Sequence, residues 1–264
     1  MIHFLAWELV HSVVNVALGP EGRFVGMAVY RPCIDGSGWL AMARTHPRFR
    51  RQGVNRAIMD SFLAHARRSG AAYLRLWTNA GNVEGVATFS ALGFREVARF
   101  TRFQAAPSRG PPRFRPRAFD TALWRRVASS PVVRSGNGYV AHGWEFARAD
   151  RPTLRAVAAS GTLRAWGRGL ISVPELPRAV PDGATLQLTM WAGEPRELLE
   201  EGRRIAAADG REGVGVYVPH VPDLLRTAAR AGFEVVEWGD EAILCEVQVP
   251  PARSHPQRPA GGTR

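Results

Sequence analysis

Residues 46–59, with the sequence HPRFRRQGVNRAIM, join the end of a predicted strand to the start of a predicted helix. Pro47 disfavours helical backbone at His46, so the strand should end there. Apolar residues then recur at helical spacing as far as Ala66. The first amides of a helix lack intrahelical acceptors, and the helix dipole places about half a positive charge beside them. The stretch therefore predicts a site for an anionic group such as a diphosphate.

Glycine and arginine in this turn favour the same interpretation. Gly53 lets the backbone approach a ligand closely, and Arg50, Arg51 and Arg56 surround the turn. A guanidinium group suits two-point contacts with phosphate better than an ammonium group does. The alternative is a solvated basic helix start, and because short glycine motifs occur by chance, the surrounding elements must decide.

The surrounding segments alternate between strand and helix patterns. A hairpin of residues 12–17 and 24–30 and a strand at 39–45 precede the turn. The predicted elements after the turn are a helix that stops at Gly70, a strand at 73–77, a helix from Asn82 to Gly93-Phe94, and a strand at 96–100.

Two of these motifs resemble the GNAT superfamily of acetyl-CoA-dependent N-acetyltransferases. Arg50 and Gly53 occupy the first two places of that family's Arg/Gln-x-x-Gly-x-Gly/Ala turn, and the helix from Asn82 to Gly93-Phe94 is similar to its last conserved helix. The resemblance covers roughly residues 23–105. It implies an α/β (α+β) fold with a mixed, mainly antiparallel, twisted sheet flanked by helices.

The resemblance also implies where acetyl-CoA binds. The end of the 39–45 strand would hold the pantetheine arm, and the turn at 50–56 would hold the pyrophosphate. The cofactor-binding residues implied in this way are Ala43, Arg44, Thr45, Arg50, Arg51, Gln52, Gly53, Val54, Asn55, Arg56, Asn82 and Phe89.

Three positions depart from the family pattern. Asn55 stands where the family has glycine or alanine, and Ala41 stands where some members have a glutamate base. Phe89 replaces a tyrosine that protonates the leaving thiolate in many members, and a phenyl ring has no proton to donate. Catalysis would therefore rest on positioning, which can supply several kcal/mol of a reaction barrier.

His46, Glu84 and Ser90 are weak candidates for the missing acid and base. Each also has a simpler interpretation. His46 before Pro47 is typical of a partly exposed loop, Glu84 complements the dipole at a helix start, and Ser90 is an ordinary helix residue.

Composition excludes several classes of protein. The 264 residues carry a net charge of +12. The chain has no lysine, so all 35 of its lysine-or-arginine positions are arginine, and coding bias explains this more simply than a functional demand does. We find no nucleic-acid-binding module and no apolar run of the roughly 20 residues that a membrane span needs. Cys33 and Cys245 are too few for a disulfide framework or a metal site, so a cytoplasmic protein without a metal is expected.

The second half of the chain repeats the pattern of the first half. Gly93-Phe94 recurs as Gly232-Phe233. The predicted elements around it are a strand at 185–191, a helix at 197–206, a strand at 214–218, a helix at 222–231, and closing strands at 234–238 and 242–249. This copy lacks the Arg-x-x-Gly turn and has Glu194 and Glu197 at the helix start, where carboxylates would repel a pyrophosphate.

These patterns predict two GNAT-like domains. Residues 1–106 form the first, which lacks the family's usual first strand and helices, so either the true start lies upstream of Met1 or the gene is truncated. A Pro/Arg-rich linker follows at 107–117, and residues 118–249 form a degenerate second domain without a coenzyme A motif. Residues 250–264 are predicted to be a disordered tail.

The predicted function is transfer of an acetyl group from acetyl-CoA to a primary amine, mainly by positioning of the two substrates. The alternative is a noncatalytic acyl-CoA-binding or scaffold protein of the same fold. The acceptor would be a small-molecule or peptide amine, without specific nucleic-acid or membrane partners, and a homodimer is compatible with the sequence.

Overall fold

The computed structural model describes residues 12–174, 184–237 and 239–250. Its strands are β1 (Val13–Leu18), β2 (Phe24–Pro32), β3 (Gly38–Thr45), β4 (Tyr73–Asn79), β5 (Arg95–Ala105), β6 (Arg115–Pro116), β7 (Tyr139–His142), β8 (Glu145–Arg148), β9 (Leu163–Trp166), β10 (Gly169–Ser172), β11 (Thr185–Ala192), β12 (Gly213–Pro219), β13 (Glu234–Val235) and β14 (Ala242–Gln248). Its α-helices are α1 (Val54–Ser69), α2 (Val83–Ala91), α3 (Thr121–Ala128), α4 (Pro131–Ser135), α5 (Arg151–Ala159), α6 (Pro195–Ala208) and α7 (Pro222–Arg230).

One sheet contains all the described strands except β7 and β8. Its order is β1-β2-β3-β4-β14-β5-β12-β11-β10-β9-β6, and β13 pairs with β5 on the edge opposite β12. The pairs β3–β4 and β11–β12 are parallel, whereas the other pairs are antiparallel. The predicted mixed, mainly antiparallel character and the flanking helices are therefore confirmed, but the strands of both predicted domains lie in one sheet, whereas one sheet per domain was predicted.

Strand β14 lies far from its predicted place. We expected it to close the second half of the sheet, but it inserts between β4 and β5 of the first half. In return, the 11-residue strand β5 extends into the second half, where its residues from Phe100 to Ala105 pair with β12. The two halves thus exchange strands, and the alternating pattern of a strand cannot reveal this because it does not specify a partner.

The segment at 107–117 is extended, as predicted, but it is packed and not a free linker. Phe114 is only 4% exposed and lies in the core of the second half. The buried Glu201 carboxylate accepts hydrogen bonds from the Arg113 and Phe114 amides at 2.6 and 2.9 Å. The domain boundaries themselves remain a prediction, and the predictions for residues 1–11 and 251–264 concern parts of the chain outside the described residues.

Helix α1 covers one face of the first half of the sheet. Ile58 and Phe62 from this helix pack with Leu74 and Leu76 of β4. Gly26 in β2 permits this contact, because a Cβ there would lie 2.8 Å from both the Arg44 carbonyl oxygen and the Val54 side chain. The close packing sets the start of α1 directly behind the end of β3.

The opposite face of the sheet is covered by the hairpin of β7 and β8. Phe146 of this hairpin is fully buried against Trp39, Phe100 and Tyr217. Because alternate strand residues face opposite sides of a sheet, this cluster lies across the sheet from α1. A segment of the second half therefore completes the core of the first half.

A buried ionic cluster around Arg75 fixes the hairpin to the sheet. The Arg75 side chain, 1% exposed, donates to Glu246 Oε2 at 2.7 Å, to Asp35 Oδ2 at 2.5 Å and to the Phe146 carbonyl at 3.3 Å. Asp35 also accepts from the Arg148 amide at 2.9 Å. The cluster therefore ties β4, β14, the β2–β3 turn and the β7–β8 hairpin together.

The pKa values of two groups reflect this cluster. Burial alone would raise the pKa of Asp35, but Arg75, together with Ser37 and the Arg148 amide, lowers it overall. Burial, together with the neighbouring Glu246 carboxylate, raises the pKa of Tyr139 to about 12. Tyr139 accordingly stays protonated and donates to Glu246 Oε2 at 3.0 Å.

We expect removal of β14 to unfold the first half of the sheet. A chain that ends after Asp240 leaves β4 and β5 without their shared partner, exposes backbone groups and opens the core at Leu244. It should show no cooperative thermal transition by circular dichroism. A chain that ends after Pro250 is the control and should unfold cooperatively; equal transitions for both chains would contradict the strand exchange.

Replacement of Asp35 tests the ionic cluster. Because its folded pKa is lowered, the carboxylate stabilises the fold above its ordinary pKa of 3.8, and this contribution is lost as pH falls through the folded value. Asp35→Asn should lower the free energy of unfolding by about 3 kcal/mol at pH 7, and the difference should shrink below about pH 4. Denaturant unfolding over this pH range measures it, with exposed Asp60→Asn as control, and a pH-independent difference would refute the assignment.

Candidate functional site

Strands β3 and β4 open into a cleft. They pair only at Gly38–Leu74 and Trp39–Arg75, after which β3 continues along β2 as far as Thr45. The edge of β3 beyond Trp39 therefore faces β4 across a gap, with its backbone groups pointing into that gap. Such an opening can hold an extended chain that bonds to the strand edge.

A bulge in β3 lies at this opening. Met42 has a φ of 55°, and the register with β2 shifts between the Val29–Ala41 and Met27–Arg44 pairs. A bulge turns the following residues and is common beside functional sites. It re-aims the segment that contains Ala43, Arg44 and Thr45, which the sequence assigned to the pantetheine arm.

The start of α1 lies beside the end of β3 and presents its amides. Gly53 precedes the helix with a φ of 80° and has no side chain to cap it. The helix's bonding begins with the Ala57 amide, which donates to the Gly53 carbonyl at 3.0 Å. The amides of Val54, Asn55 and Arg56 point out of the helix end, and a Cβ placed on Gly53 meets open space.

Asn55, which departs from the family pattern, has a structural role. Its Oδ1 accepts a hydrogen bond from the Thr45 hydroxyl at 3.0 Å. The bond joins the last residue of β3 to the first turn of α1, so the two predicted cofactor-binding segments are fixed to each other. The larger side chain is accommodated by this bond.

Positive charge around the helix start is not neutralised. Arg50, Arg51 and Arg56 are exposed, and within the described part of the chain none of them lies in an ion pair. The first turn of α1 contains no acidic residue. Gln52 donates to the Arg48 carbonyl at 3.0 Å and so stabilises the turn. Exposed amides and unpaired guanidinium groups together form a surface that attracts an anion.

Three other predicted cofactor-binding residues make contacts within their own segments. Arg44 is exposed and donates to the Ala43 carbonyl at 2.9 Å. Asn82 caps α2, accepting from the Gly85 amide at 3.1 Å and donating to the Thr78 hydroxyl at 3.0 Å. Phe89 is half-buried and packs edge-on against Phe94 at the margin of the core under α1. The structure thus gives Asn82 and Phe89 local structural roles.

The three weak acid–base candidates lie in surface positions. His46 accepts a hydrogen bond from the Arg48 amide and is exposed. Glu84 is exposed in the first turn of α2, and Ser90 is exposed near the end of that helix. No pair of these three side chains is joined by a hydrogen bond in the described residues.

The second half of the sheet has a corresponding opening that is filled. Strands β11 and β12 pair from Thr185 to Leu188, and beyond this point β7 packs against β11. The Thr189 hydroxyl donates to the Ala141 carbonyl at 2.6 Å. Glu194 and Glu197 lie at the start of α6. The site therefore differs from that in the first half in both shape and charge.

Sequence reasoning missed the Arg75 cluster at the apex of the cleft. Arg75 forms the last rung between β3 and β4, and its partners lie 40 and 171 residues away along the chain. A lone arginine in an alternating strand predicts an exposed face. Only its place opposite Trp39, next to the hairpin, explains its burial.

Two searches for other kinds of site give no candidate in the described residues. No group of three or more histidine, cysteine, aspartate or glutamate side chains is arranged to hold a metal ion there. None of the helices described is long and apolar enough to cross a membrane.

The sequence profile of the acetyltransferase (GNAT) family matches residues 2–94. The ribosomal protein bS18-alanine N-acetyltransferase of Escherichia coli K12 is 28% identical over 84 residues. This alignment covers 32% of the chain and 56% of the relative, so the chain spans little more than half of that relative's length.

Solved structures share the fold over nearly the whole chain. A GCN5-related N-acetyltransferase from Sphaerobacter thermophilus aligns with a TM-score of 0.54 and 15% identity, covering 90% of this chain and 81% of its own. A Thermoplasma acidophilum protein described as an acetyltransferase aligns with a TM-score of 0.55 and 16% identity, covering 89% and 78%. Residues 2–94 are therefore similar to the acetyltransferase (GNAT) family, and the chain shares the fold of these solved structures.

Proposed function

We propose that this protein binds acetyl-CoA in the β3–β4 cleft and transfers its acetyl group to a primary amine. The observation that carries the proposal is the start of α1, where three amides and an open glycine lie beside the end of the splayed strand. The pyrophosphate would bind the amides of Val54, Asn55 and Arg56, and Arg50 and Arg51 would contribute charge. The pantetheine arm would run along the edge of β3.

Acetyl-CoA supplies an acetyl group activated as a thioester. The chain's own contribution is to position the thioester and the amine for reaction, because Ala41 and Phe89 carry no group that transfers protons. Bulk water would take the proton from the amine and return one to the thiolate. His46, Glu84 and Ser90 remain weak candidates, since each is exposed on the surface.

The alternative is a protein that binds acyl-CoA without catalysis. Phe89 favours this alternative because it packs against the core and has no hydroxyl group. Two measurements separate the alternatives: acetyl-CoA binding by calorimetry, and thiol release in the presence of a panel of amines. Binding with thiol release supports the enzyme, whereas binding without release for every amine supports the alternative.

The acceptor class is also part of the proposal. The Escherichia coli relative acts on an alanine of a ribosomal protein, which supports testing peptide amines beside small molecules. The cytoplasm as compartment and a homodimer as assembly stay predictions of the sequence. The second half of the chain is proposed to bind no coenzyme A, because its opening is filled by β7 and its helix start carries carboxylates.

Gly53→Glu tests the proposed pyrophosphate site. The φ of 80° disfavours any residue with a Cβ, and the new carboxylate would stand beside the phosphates. We expect acetyl-CoA affinity to fall at least about tenfold by calorimetry. Gly161→Glu is a matched control in the second half, with a φ of 77° and open space around it, and should bind as wild type. Equal affinities for the two variants would place the phosphates elsewhere.

A further inference from the structure

The β7–β8 hairpin lies against the side of the cleft opposite α1. It is anchored on both halves of the sheet, since Arg75 donates to the Phe146 carbonyl and Thr189 donates to the Ala141 carbonyl. Phe146 contacts Trp39, with 6.0 Å between ring centroids, and Phe100, with 4.6 Å. The hairpin is thus a fixed wall next to the point where β3 and β4 separate.

The sheet next to this wall is apolar. Ala41 of β3 and Trp77 of β4 are half-buried and pack at the margin of the hairpin's core cluster. The Trp77 and Tyr217 rings, from different halves of the chain, lie 6.3 Å apart. A ligand on this face would meet aromatic and aliphatic surface.

Glu145 places a carboxylate on the same face of the sheet as this apolar region. It immediately precedes Phe146, and its Oε1 lies 3.4 Å from Arg31 Nη1, with side-chain exposures of 18% and 8%. Arg31 pairs in register with Trp39, which forms the last rung before the cleft opens. The carboxylate therefore lies one strand away from the apex of the cleft, on the face of the sheet that the hairpin covers, although it belongs to the second half of the chain.

We propose that Glu145 binds the amino group of the acceptor, and that the acceptor is a primary amine with an apolar or aromatic body. This rests on the proposed function of the same cleft. A carboxylate accepts several hydrogen bonds, so an ammonium group can share it with Arg31. A charge-assisted bond is strong where water is partly excluded. Glu145 orients the nitrogen and is assigned no proton transfer.

The Arg31–Glu145 pair disfavours an anionic acceptor. Glu145 offsets the Arg31 charge, so the pair presents no net positive charge to a carboxylate or phosphate. The face around Trp77 and Ala41 gives an apolar body a partner, whereas it offers little to a strongly hydrated one. The amino group and its apolar body are therefore the two features recognised.

The test is equilibrium binding of phenethylamine to the protein saturated with coenzyme A, measured by calorimetry. Glu145→Gln keeps the shape and a hydrogen-bond acceptor for Arg31 but removes the charge. We expect it to weaken phenethylamine binding about tenfold or more, while coenzyme A affinity stays unchanged. Uncharged 2-phenylethanol should bind both proteins equally. Glu145→Asp, which keeps the charge on a shorter side chain, should lie between wild type and Glu145→Gln.

The exposed Glu234→Gln on β13 is the control and should bind phenethylamine as wild type. Unchanged affinity in Glu145→Gln, or no saturable binding of phenethylamine to wild type, would overturn the assignment. Thiol release is a separate readout. A protein that binds phenethylamine through Glu145 but releases no thiol with any amine of the panel refutes the enzyme proposal, and Glu145 is then left with the amine-binding role alone.

Discussion

The buried guanidinium of Arg75 is the contact on which the arrangement of this protein depends. Removing one partner from a buried ion pair is strongly destabilising, because the remaining charge is left without compensation. Here two carboxylates, from the β2–β3 turn and from β14, and a carbonyl of the β7–β8 hairpin converge on one side chain. That side chain also marks the rung at which β3 and β4 separate. The apex of the cleft and the contact between the two halves are therefore held by the same cluster.

The two halves exchange strands within one sheet, but they differ in whether the opening between their strands is filled. Strand β14 completes the first half, and β5 extends into the second. The first half keeps an open cleft with a positively charged helix start, whereas the second fills its own opening with β7 and uses the adjoining strand as a wall. The β7–β8 hairpin, which belongs to the second half, thereby lies next to the β3–β4 cleft of the first half. Under the proposed function, this arrangement would let a half without a phosphate turn contribute to substrate binding.

Local elements were predictable from the sequence, whereas long-range partners were not. The turn at 50–56 and the stop at Gly70 follow from helix-end chemistry, and both lie where predicted. The predicted position of β14 in the sheet was wrong, because the alternating pattern of a strand specifies which face is buried but not which strand it pairs with. The 107–117 segment was predicted as an extended linker because proline and arginine dominate it, but its packing through Phe114 and the Glu201 carboxylate was not predictable from that composition. No sequence pattern around Glu145 or Arg75 predicts their contacts, because these contacts arise only when the hairpin packs on the sheet.

The central claim is that acetyl-CoA occupies the first cleft alone. Hydrogen–deuterium exchange of the full chain with and without acetyl-CoA tests it directly, because a bound pyrophosphate and pantetheine arm would slow exchange of the amides they bond. Slower exchange should appear at residues 41–45 and 53–56, with the corresponding residues 189–197 unchanged. Slower exchange at 189–197, or no change at 53–56 under saturating acetyl-CoA, would contradict the account.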